Sequence, residues 1–219
     1  MPLHVLPALL ADAPRAVAME SRAYGPSRVS AALFPGPRPP SGDDVRVANL
    51  RNSLRDDDAC RWAKVIDTDL HVDADADADT SIIAFSKWYF WTAGRDELPA
   101  PSPWGPGANA DACELYFGSM RGEWTKRMAG KPHAYLKLLH TDPEHQRRGA
   151  ASMLLRWGAA EADRLGLPTY LEASEEGAPL YEKHGFRPVH TIVTDLSRWN
   201  GPSNAKVVIM LRPFSDSAS

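Results

Sequence analysis

Cysteine is scarce in this sequence. Cys60 and Cys113 are its two cysteines, and their spacing fits neither a disulfide framework nor a metal site. The chain is therefore not one of the small secreted domains that depend on several disulfides. Both thiols are expected to be reduced, which predicts a cytoplasmic protein without a metal ion.

Long hydrophobic runs are missing as well. No stretch approaches the ~20 consecutive apolar residues that cross a bilayer as a helix. Residues 1–7 have neither the basic segment nor the cleavage pattern of a secretory signal peptide. We therefore expect no membrane partner.

Charge of one sign is not in excess. The 25 basic and 28 acidic residues give a formal net charge of -3 at pH 7. Such a balance creates no overall field that would attract nucleic acid or an anionic membrane. Nucleic acid is therefore excluded as an expected partner.

Three common catalytic signatures are also absent. The chain has no Gly-x-Ser-x-Gly, no His-Glu-x-x-His and no Gly-Lys-Ser/Thr. These absences argue against an α/β-hydrolase nucleophile, a zinc metalloprotease helix and a P-loop, respectively. What remains is a chain of 219 residues, 43% of them hydrophobic, which predicts one domain over residues 1–219 with a sizeable core.

Apolar periodicity predicts both helices and strands. Asp12 caps a helix that runs to Tyr24, and an apolar stripe over Tyr116–Met128 predicts another helix. Residues 25–43 and 92–112 are rich in Pro and Gly, and we expect them to be loops. A further helix is expected within residues 43–58, and strands are expected at residues 3–6, 61–67, 81–91, 189–193 and 206–211.

An acidic repeat lies between two of these strands. Residues 73–79 alternate Asp and Ala, which invites comparison with a calcium-binding loop. The EF-hand pattern requires Gly where Ala78 stands and Glu where Ala84 stands, so the repeat does not match it. A solvated hairpin tip is the better interpretation.

The strongest signal is a strand, a turn and a helix in the second half of the chain. Residues 133–140 predict a strand, which Pro143 ends, and an amphipathic helix follows over Ala151–Leu165. This arrangement aims unpaired backbone N–H groups and the positive end of a helix dipole at one point, which suits a pyrophosphate. Gly149 lets such a ligand approach the backbone, although an ordinary turn with Gly at the helix entry has the same pattern.

Two blocks of sequence resemble a known superfamily. The run Thr141–Ala151 resembles motif A of the GCN5-related N-acetyltransferase (GNAT) superfamily, Gln/Arg-x-x-Gly-x-Gly/Ala, with Ala151 in place of the commoner second Gly. Residues 170–174 and Pro179–Phe186 resemble the superfamily's fifth strand and the following helix, which ends in Leu-Tyr-x-x-x-Gly-Phe. The blocks cover residues 133–190 in the right order and separation.

The resemblance implies a fold and a cosubstrate. The expected fold class is α/β (α+β), with a GNAT-like single mixed, mostly antiparallel sheet, helices on both faces and strands 4 and 5 splayed apart. Acetyl-CoA would be the cosubstrate, with its thioester entering between the splayed strands, and no metal is implied. The coenzyme-binding residues that the resemblance implies are Leu139, His140, Thr141, Gln146, Arg147, Arg148, Gly149, Ala150, Ala151, Ser152 and Ser174.

Acyl transfer from a thioester to an amine requires several groups. The amine must lose a proton, and Glu172 is the first candidate base, with His140 acting through a water molecule as the second. In the superfamily a backbone N–H stabilises the oxyanion, and the resemblance places that group between Leu139 and Thr141. Tyr181 occupies the position of the superfamily's acid, which protonates the leaving thiolate. The alternatives are that Glu172 pairs at the surface, that His140 is a satisfied sheet histidine and that Tyr181 only packs.

The acceptor is the least constrained part of the prediction. Loops at residues 25–43 and 92–112, together with Trp104 and Trp199, would cover the acceptor end of the cleft, which favours the amine of a small molecule. The alternatives are a protein or peptide acetyltransferase that modifies lysine or an N-terminus, and a non-catalytic acyl-CoA-binding module. The sequence indicates neither an oligomeric state nor a pathway.

Overall fold

The computed structural model describes residues 2–25, 27–36, 40–70, 80–99 and 104–215, but not the side chains of residues 40–44. The acidic repeat lies outside the described residues. The strands are β1 (Leu3–Pro7), β2 (Cys60–Asp67), β3 (Ile82–Trp91), β4 (His133–Thr141), β5 (Thr169–Ala173), β6 (Arg187–Thr194) and β7 (Ala205–Arg212). The α-helices are α1 (Ala13–Tyr24), α2 (Arg28–Leu33), α3 (Pro40–Arg55), α4 (Ala110–Met128), α5 (Ala150–Arg164) and α6 (Ala178–Glu182).

The strands form one seven-stranded sheet in the order β1-β2-β3-β4-β5-β7-β6. Neighbouring strands are antiparallel except β4 and β5, which are parallel. Parallel neighbours need a crossover connection, and α5 lies within it. The mixed, mostly antiparallel sheet with helices around it confirms the predicted fold class.

Strand β3 forms the centre of the molecule. All 10 of its residues are buried, because helices cover both faces of the sheet. Phe85 and Tyr89 pack with residues of α1, α3 and α4 on one face, named here the α1 face. Trp88 and Phe90 pack against α5 on the other face, named the α5 face.

A buried carboxylate joins α1 to the end of β4. Asp142 has no exposed surface and accepts hydrogen bonds from Arg15 at 2.8 Å and from Arg22 at 3.0 Å. Arg15 also donates to the carbonyl of Ile82 at 3.0 Å, at the start of β3. Because a buried charge is stable only with such partners, these contacts fix the turn after β4 against α1.

Helix α5 lies close to the sheet because Gly158 has no side chain. The ring of Trp88 occupies the space beside Gly158, and a Cβ atom there would lie 2.2 Å from the ring. Trp88 is fully buried, and its Nε1 donates to the hydroxyl of Ser86 at 3.1 Å. This close approach sets the distance of α5 from the sheet.

The prediction of a loop over residues 25–43 is wrong, because α2 lies within it and α3 begins at Pro40. Ser27 caps α2 by accepting a hydrogen bond from the backbone N–H of Ser30 at 2.9 Å. Ala32 is buried against α4 and the connection between β6 and β7. Burial of the apolar side of α2 thus outweighs the Pro and Gly content of the segment.

The remaining predicted strands and helices are confirmed, with ends that differ by a few residues. Helix α4 begins at Ala110, inside the second predicted loop. Cys60 and Cys113 are buried and free, as expected. Among the described residues, no helix is both long and apolar enough to cross a membrane.

Replacing Gly158 with Ala is expected to destabilise the protein, because the added methyl group overlaps the ring of Trp88. Overpacking a core costs about 1–3 kcal/mol, so the free energy of unfolding in urea should fall by ~2 kcal/mol. Gly122 of α4 is the matched control, since it is exposed and a Cβ there meets no atom within 4 Å. Gly122→Ala should be neutral or stabilising by up to about 1 kcal/mol. Equal effects of the two substitutions would contradict the close-packing interpretation.

Candidate active site

The two parallel strands separate toward their carboxyl ends. Pairing between β4 and β5 joins Ala134–Leu136 to Thr169–Leu171. Strand β4 nevertheless continues to Thr141, and β5 continues to Ala173. The edge of β4 beyond Leu136 therefore faces a cleft, which confirms the predicted splay of strands 4 and 5.

A β-bulge lies where the cleft begins. Lys87 of β3 pairs with Leu138, and Trp88 pairs with Leu136, which leaves Lys137 as an extra residue in β4. A bulge interrupts the ladder of hydrogen bonds and bends the strand. It therefore marks the point at which β4 leaves its partner β5.

Beyond the bulge, the backbone of β4 alternates between β3 and the cleft. The N–H of Asp142 donates to β3 at 2.9 Å, and His140 pairs with a residue of β3. Since alternate residues of an antiparallel strand point their polar groups to opposite sides, those of Leu139 and Thr141 point into the cleft. The carbonyl of Leu139 accordingly accepts a hydrogen bond from the hydroxyl of Tyr24 at 2.7 Å.

The turn before α5 contains two residues in the left-handed region. Arg147 has φ +62° and Gly149 has φ +89°. Such residues turn successive backbone N–H groups toward one point, and the first turn of α5 adds its own unpaired N–H groups. No atom lies within 4 Å of a Cβ built at Gly149, so the space above the turn is open. A pocket of about 300 Å³ lies here, lined by Leu3, Arg148, Gly149, Ser152, Met153 and Arg156.

The side chains of the predicted coenzyme motif divide into two groups. Gln146 and Arg147 are exposed beside the turn. Arg148 instead donates to Asp67 at 2.6 Å and lies 3.2 Å from Nδ1 of His145. The Arg148 guanidinium holds the pKa of Asp67 below its usual value, so the side chain of Arg148 ties the turn to the end of β2.

The first residues of α5 are small. Ala150 is buried and Ala151 half-buried, which keeps the helix N-terminus unobstructed. The hydroxyl of Ser152 lies 3.0 Å from Nε2 of His184, which follows α6. The hydroxyl of Ser174 accepts a hydrogen bond from the N–H of Gly177 at 3.1 Å and so shapes the turn after β5.

Glu172 lies one residue beyond the last β4–β5 pair, in a network of hydrogen bonds. Its Oε2 accepts from the hydroxyl of Tyr135 at 2.7 Å, and its Oε1 accepts from that of Tyr170 at 3.3 Å. Lys137 Nζ donates to the Tyr135 hydroxyl at 2.8 Å and lies 3.6 Å from Oε2. The Glu172 side chain is only 9% exposed, so the network encloses its carboxylate. Burial first, and then the Glu172 charge, raises the pKa of both tyrosines, which keeps them protonated as donors.

Two phenols approach the cleft from opposite faces of the sheet. Tyr181 of α6 packs against Phe186 with ring centroids 6.0 Å apart, and burial raises the pKa of Tyr181 to about 12. Tyr24 comes from the end of α1. The residue is half exposed, and desolvation of its hydroxyl first, then the Tyr181 phenol, raises the pKa of Tyr24. Both phenols therefore carry their proton at neutral pH.

His140 is buried on the α1 face. Its ring stacks on that of Phe85 with centroids 5.5 Å apart, and its two ring nitrogens have no hydrogen-bond partner among the described residues. Burial lowers the pKa of His140 to about 4, so the ring is neutral at pH 7 and a weak base.

Further charged side chains lie on the α1 face near Lys137. Arg46 of α3 donates to Glu20 of α1 through two hydrogen bonds, of 2.8 and 3.0 Å. Lys87 of β3 is only 8% exposed, and its Nζ lies 5.1 Å from the centroid of the Tyr89 ring. Together with Glu172, these groups form a polar cluster within an otherwise apolar face.

Helix α2 packs directly against the connection between β6 and β7. Ala32 and Leu196 are buried in one cluster, and a Cβ at Gly201 would lie 2.8 Å from the Cβ of Ala32. Trp104 stacks on Phe117 of α4 with centroids 5.0 Å apart and packs against the same cluster. This contact, named here the clasp, replaces the loose cover expected from the first loop.

Sequence reasoning missed Tyr24, Lys87, Tyr135 and Lys137. A signal existed for Tyr135 and Lys137, because their spacing of two residues repeats at residues 170 and 172 of the next strand. Residues two apart in a strand share a face, so the four side chains were candidates for one cluster. Nothing in the sequence pattern marked Tyr24 or Lys87.

The described residues include no group of three or more His, Cys, Asp or Glu side chains placed to hold a metal ion. A larger hollow of about 500 Å³ lies beside Phe90 and Arg164, at the end of α5 away from the cleft. The catalytic candidates lie at the cleft and not at this hollow.

Part of the chain matches a known protein family. Residues 110–188 match the model of the acetyltransferase (GNAT) domain. The matched span runs from the start of α4 into β6 and includes the cleft, the turn before α5 and Tyr181.

Solved structures share the fold at low sequence identity. One is described as histone acetyltransferase HPA2 and related acetyltransferase from Corynebacterium glutamicum; it is 20% identical, covers 100% of both chains and has a TM-score of 0.62. The C-terminal condensation domain of Ebony, in complex with beta-alanyl-dopamine, has a TM-score of 0.70 at 12% identity, covering 96% of this chain and 98% of its own. The structure of yncA from Salmonella typhimurium with its cofactor acetyl-CoA has a TM-score of 0.53 at 12% identity, covering 100% of this chain and 98% of its own.

At these sequence identities the solved structures show only that the fold is shared. The family match extends the similarity to the sequence of the segments that form the cleft. Both agree with the two sequence blocks described above. The resemblance to the superfamily is therefore confirmed: residues 110–188 match the GNAT domain, and the fold is GNAT-like.

Proposed function

We propose that the protein is an acetyl-CoA-dependent N-acetyltransferase that moves an acetyl group to the amine of a small molecule by direct attack in a ternary complex. One observation carries the proposal: β4 and β5 diverge beside a turn whose left-handed residues, Arg147 and Gly149, direct N–H groups at an open space. We further propose that residues 1–219 form a single domain. The two buried free thiols support a cytoplasmic location.

The turn before α5 is the proposed pyrophosphate site. Backbone N–H groups from Arg148 to Ser152 would donate to the phosphate oxygens, and Gly149 leaves room for their approach. The exposed side chains of Gln146 and Arg147 are free to turn toward the ligand, whereas Arg148 already binds Asp67. The site therefore uses the backbone of Arg148 rather than its charge.

The cleft edge of β4 is the proposed site of the pantetheine arm and the thioester. The backbone groups of Leu139 and Thr141 point into the cleft and would pair with the pantetheine amides as an added strand does. A backbone N–H in the same run would donate to the oxyanion of the tetrahedral intermediate. The backbone of His140 points toward β3 instead, so its proposed contribution is limited to its ring.

Glu172 and Tyr181 are the proposed base and acid. The amine nitrogen bonds to the acetyl carbon, and the C–S bond then breaks. The proton of the amine passes to Glu172, directly or through water, while the Tyr181 hydroxyl protonates the departing thiolate. The pKa of about 12 leaves Tyr181 protonated at neutral pH, as an acid must be. A purely packing role for Tyr181 is the alternative.

A small acceptor is favoured over a peptide because of the clasp. An extended peptide needs an open groove along the sheet, and the contact between Ala32 and Gly201 closes one side of the α1 face. The known structures with this fold point both ways, since one is described as a histone acetyltransferase and another was solved with beta-alanyl-dopamine. Protein acetylation is therefore kept as the second candidate.

Release of free thiol from acetyl-CoA tests the proposed function. We expect turnover with at least one small amine when polyamines, arylamines, aminoglycosides and amino acids are compared with lysine peptides. Efficient peptide acetylation with every small amine inert would favour the second candidate. Coenzyme binding without turnover on any acceptor would indicate that the protein is a non-catalytic binding module.

Substitution of Gly149 by Glu is expected to weaken coenzyme binding, because it places bulk and negative charge at the pyrophosphate site. Affinity measured by calorimetry should fall by at least about tenfold, which corresponds to ~1.4 kcal/mol. Gly166→Glu is the matched control, since Gly166 also has a positive φ, of +64°, and open space around it. Unchanged binding in a folded Gly149→Glu protein would show that the coenzyme does not bind at this turn.

Substitution of Tyr181 by Phe is expected to lower kcat by about 10²-fold, the range typical of a positioned acid. Coenzyme affinity should change little, because the phenyl ring still packs against Phe186. The test is steady-state kinetics with the best acceptor, together with calorimetry of coenzyme binding. Full turnover in this variant would show that the phenol is structural.

A further inference from the structure

We propose that Lys87 binds a carboxylate of the acceptor, so that the enzyme acetylates small amines that also carry a carboxylate, such as amino acids. This inference rests on the proposed N-acetyltransferase function and narrows its substrate class. Its evidence is the position of Lys87, the pairing of the charges around it and the count of those charges.

Lys87 lies on the same face of the sheet as the candidate base. The register places Lys87 opposite Leu138, next to the bulge at Lys137. Glu172 lies on the other side of β4, within hydrogen-bond distance of Tyr135 on the α1 face. Lys87 on β3 and Glu172 on β5 therefore flank β4 where the cleft opens. A small molecule bound over β4 would direct its amine to Glu172 and its carboxylate to Lys87.

The ammonium of Lys87 has no counter-ion in the described structure. Glu20 is held by two hydrogen bonds from Arg46, and Glu172 is held by two tyrosine hydroxyls and Lys137. No carboxylate among the described residues forms an ion pair with Lys87, whose residue surface is only 8% exposed. Burying an unpaired ammonium is costly, and a bound anion supplies the missing charge.

The charge count selects a singly charged anion. Arg46, Lys87 and Lys137 are the cations of the cluster, and Glu20 and Glu172 are its described carboxylates. Among the described side chains of the cluster one positive charge remains, which matches a carboxylate better than a doubly charged phosphate. The coenzyme phosphates do not compete, because their proposed site is at the Gly149 turn.

The titration of Lys87 supports the same assignment. Burial is the main reason that the pKa of Lys87 is lowered to about 8, with the charges of Arg46 and Lys137 contributing and that of Glu20 opposing. At pH 7 the amine is therefore still mostly protonated. Burial also raises the pKa of Cys60, so a neutral thiol faces the ammonium at pH 7 and provides no counter-charge.

The test compares acceptor pairs that differ only in the carboxylate. Tyrosine and tyramine, histidine and histamine, and phenylalanine and phenethylamine are assayed at pH 7 for thiol release from acetyl-CoA. In the wild type, kcat/KM should favour the carboxylate-bearing member of at least one pair by tenfold or more. Lys87→Met should lower that value by at least tenfold and leave the amine without a carboxylate nearly unchanged.

Two controls separate binding from folding. Lys126→Met makes the same substitution on the exposed surface of α4 and should preserve the preference. The thermal midpoint of Lys87→Met should rise, because an unpaired buried ammonium is removed. Loss of the preference in a more stable protein would therefore be a loss of recognition.

A binding measurement keeps this inference distinct from the proposed function. Calorimetric titration of the same pairs into the protein saturated with coenzyme A requires no turnover. Tighter binding of a carboxylate-bearing member, lost in Lys87→Met, would support the inference even if no acceptor were acetylated. Equal binding within every pair, or a preference that survives Lys87→Met, would overturn it, whether or not the enzyme transfers acetyl groups.

Discussion

The ion pairs of Asp142 hold the two halves of the candidate site in register. Arg15 and Arg22 come from α1, which carries Tyr24 to the cleft, and Asp142 begins the turn that leads to Gly149. Removal of one partner from a buried ion pair leaves an uncompensated charge and costs about 3–5 kcal/mol. The distance between the proposed acceptor side and the proposed coenzyme side of the cleft therefore depends on one buried carboxylate.

The turn proposed to bind the coenzyme was predictable from sequence, whereas the side of the cleft proposed to bind the acceptor was not. Gly149 and the helix after it are local features, since a turn and a helix N-terminus are built from consecutive residues. The acceptor side depends on α2, which forms because Ala32 finds a buried place against a connection more than 160 residues later. Such long-range packing leaves no local signal, and Pro and Gly content alone therefore predicted a loop.

Polar groups without partners concentrate on one face of the sheet. Lys87 lacks a counter-ion and His140 lacks hydrogen-bond partners among the described residues, and both lie on the α1 face near the cleft. On the α5 face, Trp88 packs against Gly158 and donates its Nε1 proton to Ser86. Buried unsatisfied groups are rare in native structures and are tolerated where function requires them. Among the described residues, the α1 face therefore holds more of the unpartnered polar groups than the α5 face does.

The bulge at Lys137 changes which face of the sheet the following residues of β4 contact. Tyr135 and Leu138 pack on the α1 face, although they are three positions apart, and Leu139 packs on the α5 face. Strand residues normally alternate, so regular pairing of Lys137 with Lys87, in place of the bulge, would exchange the two sides beyond this point. His140 would then enter the apolar contact with α5, and the cleft-facing amides would turn toward β3. The bulge therefore constrains the site independently of the identity of the residues around it.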